Sequence, residues 1–324
     1  MRLFDEPFNS QMAWTGASLG EQDWLRRLPS DVLDELSAAA ARLRRDPLPT
    51  FLVDAEAFEL SATRRFMAGI DRDLRDGSRF VLLDRLPIDA FGKDIAIQIY
   101  WLLCSMLAPP VAQKIDGTML YNVWDTGKPL IPGTGVRGAD TNYEQAFHND
   151  NTFNEAAPDY VALFCLNPAK EGGRSRNISI YAVHNKLLAG HRDVLPRLYE
   201  PFLIDRESEH LPDEPITLQA PVFTRDGGRL VTRMTLRQIE NGYVRAGRDM
   251  DAAGRAAVKT VREVMKQPDL MCEFTMERGQ IQIVNNLETA HCRTGFIDWA
   301  EPERRRHLVR LWLRRAGRRT YSGR

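Results

Sequence analysis

A histidine and an aspartate stand two residues apart at His148 and Asp150, inside "AFHND". Both side chains bind metal ions or move protons. In an extended segment, residues two apart share a face, so this pair would aim together while Asn149 aims away. The same H-x-D spacing recurs in "HRD" at 191–193. That copy lies in "HNKLLAGHRDVLPRLY", which has helical spacing, and on a helix i and i+2 point apart. His191 therefore reads as a solvated helix residue. His184 opens that helix, where a hydrogen-bonding role suffices. His210 lies in the charged "DRESEHLPDEP" and reads as solvent-facing, and His307 sits on the last strand facing opposite to Arg306. His291 follows the apolar β segment "GQIQIVNN" and is the expected third ligand. Two imidazoles and a carboxylate on one face of an octahedron leave three positions open, an arrangement suited to Fe(II) and dioxygen chemistry.

The elements that must position these residues divide the chain in two. Helical spacing dominates residues 1–120. "PSDVLDELSAAAARLRR" predicts a helix capped by Ser30, "SATRRFMAGIDRDLRDG" one ended by Gly77, and "DAFGKDIAIQIYWLLCSML" a third. Between the last two, "RFVLLDRLP" reads as a buried strand. Residues 121–142 are rich in Gly and Pro, as expected of an active-site lid. Strand candidates follow over 143–313: "QAFHND", "DYVALFCLNP", "SRNISIYAV", "APVFTRDGGRLVTRMTL", "CEFTMERGQIQIVNN" and "RHLVRLWLR". "RDGG" marks a hairpin turn, and two amphipathic helices interrupt, over 184–199 and 252–266. Strands after a helical start, without βαβ alternation, predict an α+β protein on an antiparallel sandwich or barrel. Residues 314–324 are basic and expected to be a frayed, solvated end. Nothing demands a second domain within 1–324.

Composition narrows the function class. Lys plus Arg and Asp plus Glu number 44 each in 324 residues, so the net charge of zero argues against bulk nucleic-acid or membrane binding. The apolar run at 95–111 is short for a spanning helix and is interrupted by Gln98. The first residues carry no signal-peptide pattern, and a cytoplasmic protein is the expectation. Cys104, Cys165, Cys272 and Cys292 are far apart, which predicts buried free thiols rather than disulfides or a zinc site.

The ordered set "FHND", "DYVALFCLNPAKEGGRS", "RGQIQIVNNLETAHCRTGF" and "RRRHLVRLWL" resembles the taurine dioxygenase-like Fe(II)/2-oxoglutarate oxygenases, which include the clavaminate synthase-like hydroxylases. The resemblance covers about half of the chain, residues 138–313. "AWTG" at 13–16 and the helical N-terminal part also resemble a subgroup of this family. It implies a double-stranded β-helix (jelly-roll) core with flanking helices, and iron held by His148, Asp150 and His291. It further implies a 2-oxoglutarate clamp at Arg306, with Arg305 nearly as suitable by spacing and Arg310 in the same inward phase as Arg306. Ser175, after "GG", would help hold the distal carboxylate, and Asn286 matches a recurring polar residue ahead of the distal histidine. A planar guanidinium suits bidentate grip on a carboxylate. A core-facing Arg306 would need an anionic partner. Related halogenases replace the carboxylate ligand with a small residue, so Asp150 argues for oxygenation.

The implied reaction consumes 2-oxoglutarate and O2, releases succinate and CO2, and oxidises, most simply hydroxylates, an unactivated C–H of a small organic substrate. That substrate could be amino-acid-like or a natural product. Asn151, Phe153, Arg137 and Asn286 are the expected substrate-facing residues. A homo-oligomer stays open. Two other readings compete. One is a hydrolase on the same ligands with zinc, which gives Arg306 no role. The other is a non-catalytic jelly roll that binds a small acid.

Overall fold

The computed structural model describes residues 3–131, 136–207 and 209–322. The N-terminal part holds α1 (Glu21–Trp24), β1 (Leu25–Arg27), α2 (Ser30–Arg45), α3 (Ser61–Asp76), β2 (Phe80–Asp84), α4 (Ile88–Phe91) and α5 (Lys93–Ser105). Ser30 is the first helical residue rather than the cap. Pro29 takes that position with no side-chain bond, its fixed φ pre-set for the turn into the helix. The expected single helix over 89–107 is two, because Gly92 adopts φ +77° between α4 and α5.

The strand-rich part follows with β3 (Pro110–Val111), β4 (Tyr121–Val123), β5 (Gln145–His148), β6 (Tyr160–Asn167), β7 (Glu171–Gly172) and β8 (Ser175–Ser179). Then come α6 (Ile180–Gly190), α7 (Leu195–Leu198), β9 (Phe202–Asp205), β10 (Thr217–Ala220), β11 (Phe223–Asp226), β12 (Arg229–Thr232), α8 (Leu236–Arg245) and α9 (Ala252–Met265). The chain closes with β13 (Cys272–Phe274), β14 (Ile281–Asn285), β15 (Thr289–Arg293), β16 (Phe296–Ile297) and β17 (His307–Leu313). A larger sheet runs β1-β2-β14-β6-β17-β3, with β4 also on β17, and faces a smaller sheet in the order β13-β8-β15-β5. Two facing sheets of this kind make the expected double-stranded β-helix.

Strand alternation assigns each face. On β17, Val309, Leu311 and Leu313 pack with α2, α3 and α5, whose Leu36, Ile70 and Leu103 are fully buried. Leu308, Arg310 and Trp312 turn the other way, towards the jelly-roll interior. On β15, Ala290 and Cys292 join the outer core under α6 and α9, which leaves Thr289, His291 and Arg293 facing in. The four cysteines are buried and free, as expected. No helix of the described residues is long and apolar enough to cross a membrane.

Four expectations need correction. "SRNISIYAV" is strand only to Ser179, whose side chain accepts from Ala182 N–H and starts α6. His184 therefore lies within α6 rather than opening it, and His191 caps its end. The helix α8 was not expected. Its Gly242 is a poor helix former, but a Cβ there would come 2.4 Å from the Leu203 carbonyl, so close packing on β9 requires it. The tail past Leu313 is not frayed over the described residues. Arg314 N–H donates to the Pro109 carbonyl at 3.1 Å, Ala112 N–H to the Arg319 carbonyl at 2.9 Å, and Tyr321 is 6% exposed. Residues 323–324 lie outside the described residues.

His184 is fully buried, 2.8 Å from the Tyr199 hydroxyl through Nε2. Burial pushes its pKa down to about 4 from 6.5. The folded chain thus resists a proton that the unfolded chain accepts. Stability is complete above about pH 6.5 and falls as the pH drops towards 4, by about 2 kcal/mol at about pH 5. Urea unfolding of the native chain should weaken by that much more than unfolding of His184→Gln between about pH 7.5 and about pH 5. Equal losses would remove His184 as the cause.

Candidate metal centre

His148 and His291 are direct partners across β5 and β15. Their ring centroids lie 4.5 Å apart. The strand ends at His148, so Asp150 does not share its face by simple alternation. A turn carries it back instead. Asn149 Nδ2 donates to the Asn286 and Thr289 carbonyls at 2.6 and 2.9 Å, and Asn151 follows at φ +55°. Asp150 Oδ1 then sits 3.3 Å from His148 Nε2 and 3.9 Å from His291 Nε2. One ligand atom from each of the three residues falls within 4.8 Å of the others.

Protonation states suit a cation. His148 Nδ1 lies 2.9 Å from the Ala146 carbonyl, which accepts its proton and leaves the Nε2 lone pair facing the triad. Burial, His148 and Arg310 push His291 down to about 3, so its imidazole is neutral. Burial alone would raise the Asp150 carboxyl. Arg310 and the His148 bond outweigh it and hold Asp150 well below the usual carboxylate range. His291 Nδ1 is buried without a partner. The Nε2 atoms of His148 and His291 with an ionised Asp150 carboxylate fit Fe(II), and these three residues would hold it.

The second Asp150 oxygen is held by residues the sequence did not single out for it. Trp312 Nε1 donates to Oδ2 at 2.7 Å, and Arg310 Nη1 lies 3.0 Å from the same atom. Gln113 Oε1 in turn accepts from Arg310 Nε at 2.8 Å. Arg310, expected to bind co-substrate, is therefore occupied by the carboxylate of the triad. Trp312 could have been found from its shared phase with Arg310 on β17. Gln113 carries no sequence signal.

The two candidates for the clamp part company. Arg305 is exposed and reaches the Trp299 and Ala300 carbonyls. Arg306 is buried, 5.0 Å from the Phe296 ring, with no ion pair on its guanidinium among the described residues. Burial lowers its pKa to about 10. It precedes β17, where the register shifts between His307 and Leu308. Gly173 at φ +64° lets it in, since a Cβ there would lie 3.3 Å from Arg306 Nε. Ser175 is buried two residues on, paired in register with Arg293. Arg293, also buried, was not anticipated. It shares a face with His291 and donates to the Thr141 and Tyr143 carbonyls at 3.0 and 2.9 Å.

A cavity of about 420 Å³ opens beside the triad. Phe147, Phe153, Leu236, Met265 and Trp312 line it, and Asn151 reaches it with a buried carboxamide that lacks partners. Arg237, Arg262 and Lys266 border it from α8 and α9. Arg137 lines it too, but Glu209 holds its guanidinium, so it is neither solvated nor a free cation. Of the stretch 121–142 expected to be a lid, residues 121–123 form β4 and 138–140 a 3-10 turn. Residues 132–135 lie outside the described residues. Asn286 does not face substrate. It is fully buried; its Oδ1 accepts from Asp150 N–H at 2.8 Å and its Nδ2 donates to the Asp150 and Pro158 carbonyls at 2.9 and 3.1 Å. Asn286→Ala should accordingly cost about 3 kcal/mol in urea unfolding, from three lost bonds and buried groups left unpaired. A raised substrate KM at unchanged stability would restore the substrate-facing reading.

Comparison with known proteins agrees with this geometry. Residues 48–312 match the family described as taurine catabolism dioxygenase TauD, TfdA family. FR-33289 synthase of Streptomyces rubellomurinus is 25% identical over 97% of this chain and 92% of its own length. Uridine-5'-phosphate dioxygenase of a Streptomyces species is 27% identical over 59% of this chain and 71% of its own. Among solved structures, asparagine oxygenase with Fe(II), 2S,3S-3-hydroxyasparagine and succinate superposes with a TM-score of 0.70 at 19% identity, covering 90% of this chain and 93% of that one. The non-heme iron oxygenase OrfP with Fe and alpha-ketoglutaric acid gives 0.65 at 13% identity, covering 90% and 94%. The chain belongs to the TauD/TfdA dioxygenase family and is an Fe(II)- and 2-oxoglutarate-dependent dioxygenase. The hydrolase and the non-catalytic binder lose their support.

Proposed function

We propose that this dioxygenase hydroxylates an unactivated C–H of a small amino-acid-like or natural-product molecule seated in the cavity beside His148, Asp150 and His291. The overall change is R–H + 2-oxoglutarate + O2 → R–OH + succinate + CO2. Fe(II), when bound, supplies the dioxygen chemistry. The chain's own residues hold and orient. His148, Asp150 and His291 present three ligand atoms on one side and leave the cavity side open. Trp312 and Arg310 keep one Asp150 oxygen turned away from the triad, so the other points into it. Arg306 and Ser175 grip the distal carboxylate of 2-oxoglutarate.

The observation that carries this reading is the pairing of the triad with a buried arginine that has no ion pair on its guanidinium among the described residues. Such a charge is costly unless a ligand neutralises it, and a dicarboxylate does so. Phe147, Phe153 and Leu236 exclude water around the reacting carbon, while Lys266, just past α9, suits a polar or anionic end of the substrate at the cavity mouth, where Arg237 and Arg262 are paired with Glu207 and Glu240. The relatives support the substrate class: asparagine oxygenase was captured with a hydroxylated asparagine and OrfP with (3S)-hydroxy-L-Arg. The test is succinate release from 2-oxoglutarate with Fe(II) and ascorbate across a panel of amino acids and natural-product acids, with mass spectrometry for the gain of one oxygen atom. No stimulation of succinate by any candidate, together with no thermal shift on adding Fe(II) and 2-oxoglutarate, overturns it.

A further inference from the structure

We propose that Tyr321, in the basic C-terminal tail, is a positioning residue for the metal-site carboxylate and acts through Trp312. This rests on the reading of His148, Asp150 and His291 as metal ligands. Trp312 Nε1 fixes Asp150 Oδ2 at 2.7 Å, and that bond has a direction only while the indole cannot turn. Two flat groups among the described residues lie near the indole. The Arg310 guanidinium is 4.9 Å from its ring, and the Tyr321 ring is stacked at 6.3 Å with 28° between planes.

The tail is built to deliver that ring. The Arg319 carbonyl accepts from Ala112 N–H at 2.9 Å and Arg319 Nε donates to the Pro110 carbonyl at 2.8 Å, next to β3. Arg314 Nη1 bridges back to the Arg318 and Thr320 carbonyls at 3.1 and 3.2 Å. Tyr321 then enters the inward-facing cluster that holds Trp312, Tyr121 and Val161. Its hydroxyl makes no well-formed hydrogen bond among the described residues, with Asn154 the nearby polar group, so the flat ring does the positioning.

Without the ring, Trp312 gains freedom and Asp150 Oδ2 loses its fixed donor. The carboxylate can then rotate to face Arg310 with both oxygens, and its Oδ1 no longer points steadily into the triad. Groups that orient metal ligands change metal affinity by about 10–100-fold when removed. A relay through one further residue belongs at the low end of that range.

The test titrates the folded, metal-free chain with Co(II) alone, read by visible absorption and by calorimetry. Tyr321→Ala is expected to bind about tenfold more weakly, Tyr321→Phe like the native chain, and Trp312→Phe at least as weakly as Tyr321→Ala. On top of Trp312→Phe, Tyr321→Ala should add less than about twofold, because the two act in series. If Tyr321→Ala does not fold, Tyr321→Leu, which fills the space without a flat ring, is read in the same way. Unchanged affinity in a folded Tyr321→Ala chain overturns the proposal, even where its melting temperature drops. So does a full second loss in the double variant. A native chain that takes up no Co(II) overturns the metal reading itself, which separates the two failures.

Discussion

An Asp150→Ala chain is expected to release succinate at no more than about a thousandth of the native rate, a loss of about 4 kcal/mol of barrier lowering. Removing one of the three proposed ligands is only half of the effect. Asp150 is also the anion for Arg310, and both are buried, with side chains 5% and 9% exposed respectively. Deleting the carboxylate strands the guanidinium among Gln113, Tyr121 and Trp312. Breaking a buried pair from one side costs about 3–5 kcal/mol. The metal-free variant should therefore unfold at lower urea than the native chain. Asp150→Ala combined with Arg310→Met should recover much of that stability and none of the turnover. An Asp150→Ala chain with near-native succinate release would end the assignment of His148, Asp150 and His291 as the ligand set. One with native stability would mean that Arg310 does not depend on Asp150.

Arg306→Ala is expected to weaken 2-oxoglutarate binding by about two orders of magnitude, as truncating a buried, hydrogen-bonded charge partner costs about 2–5 kcal/mol. Arg305→Ala should change it by less than about twofold, because an exposed arginine bonded to two carbonyls offers the co-substrate nothing. Without ligand the sign reverses. The Arg306 guanidinium is buried with no ion pair on it among the described residues, so Arg306→Met should leave the metal-free chain as stable as the native one, or more so. Adding 2-oxoglutarate should stabilise the native chain alone. Equal binding losses for the two alanine variants would put the clamp elsewhere in "RRRHL".

What the sequence revealed follows from which signals are local. The alternation in "HLVRLWL" placed Val309 and Leu311 on one face and Arg310 and Trp312 on the other, and the fold keeps that division. His291 was found because it follows an apolar strand. The turn that brings Asp150 back beside His148 was not readable. It depends on Asn149 and Asn286 bonding across residues far apart in the chain, and a hydrogen-bond partner at that distance leaves no periodicity. Asn286 was accordingly given a role towards substrate when its whole carboxamide braces the turn. Helix α8 was missed because Gly242 argues against a helix until the Leu203 carbonyl beneath it is seen. The tail was misjudged because a string of arginines reads as solvated, and the carbonyls at Pro109 and Pro110 that anchor it are not its neighbours in sequence. The Glu209 partner of Arg137 is equally remote in sequence.

The division of faces on β17 also governs how this chain can diverge. An insertion between Asp298 and Arg306 lengthens a largely exposed connection before the strand and leaves the faces of β17 in place. A single inserted or deleted residue between Leu308 and Arg310 would exchange the faces: Leu311 would point at the Asp150 carboxylate and Arg310 into the helical layer. Descendants are therefore free to lengthen the loop but not the strand, and a frame error there removes the core and the chemistry in one step.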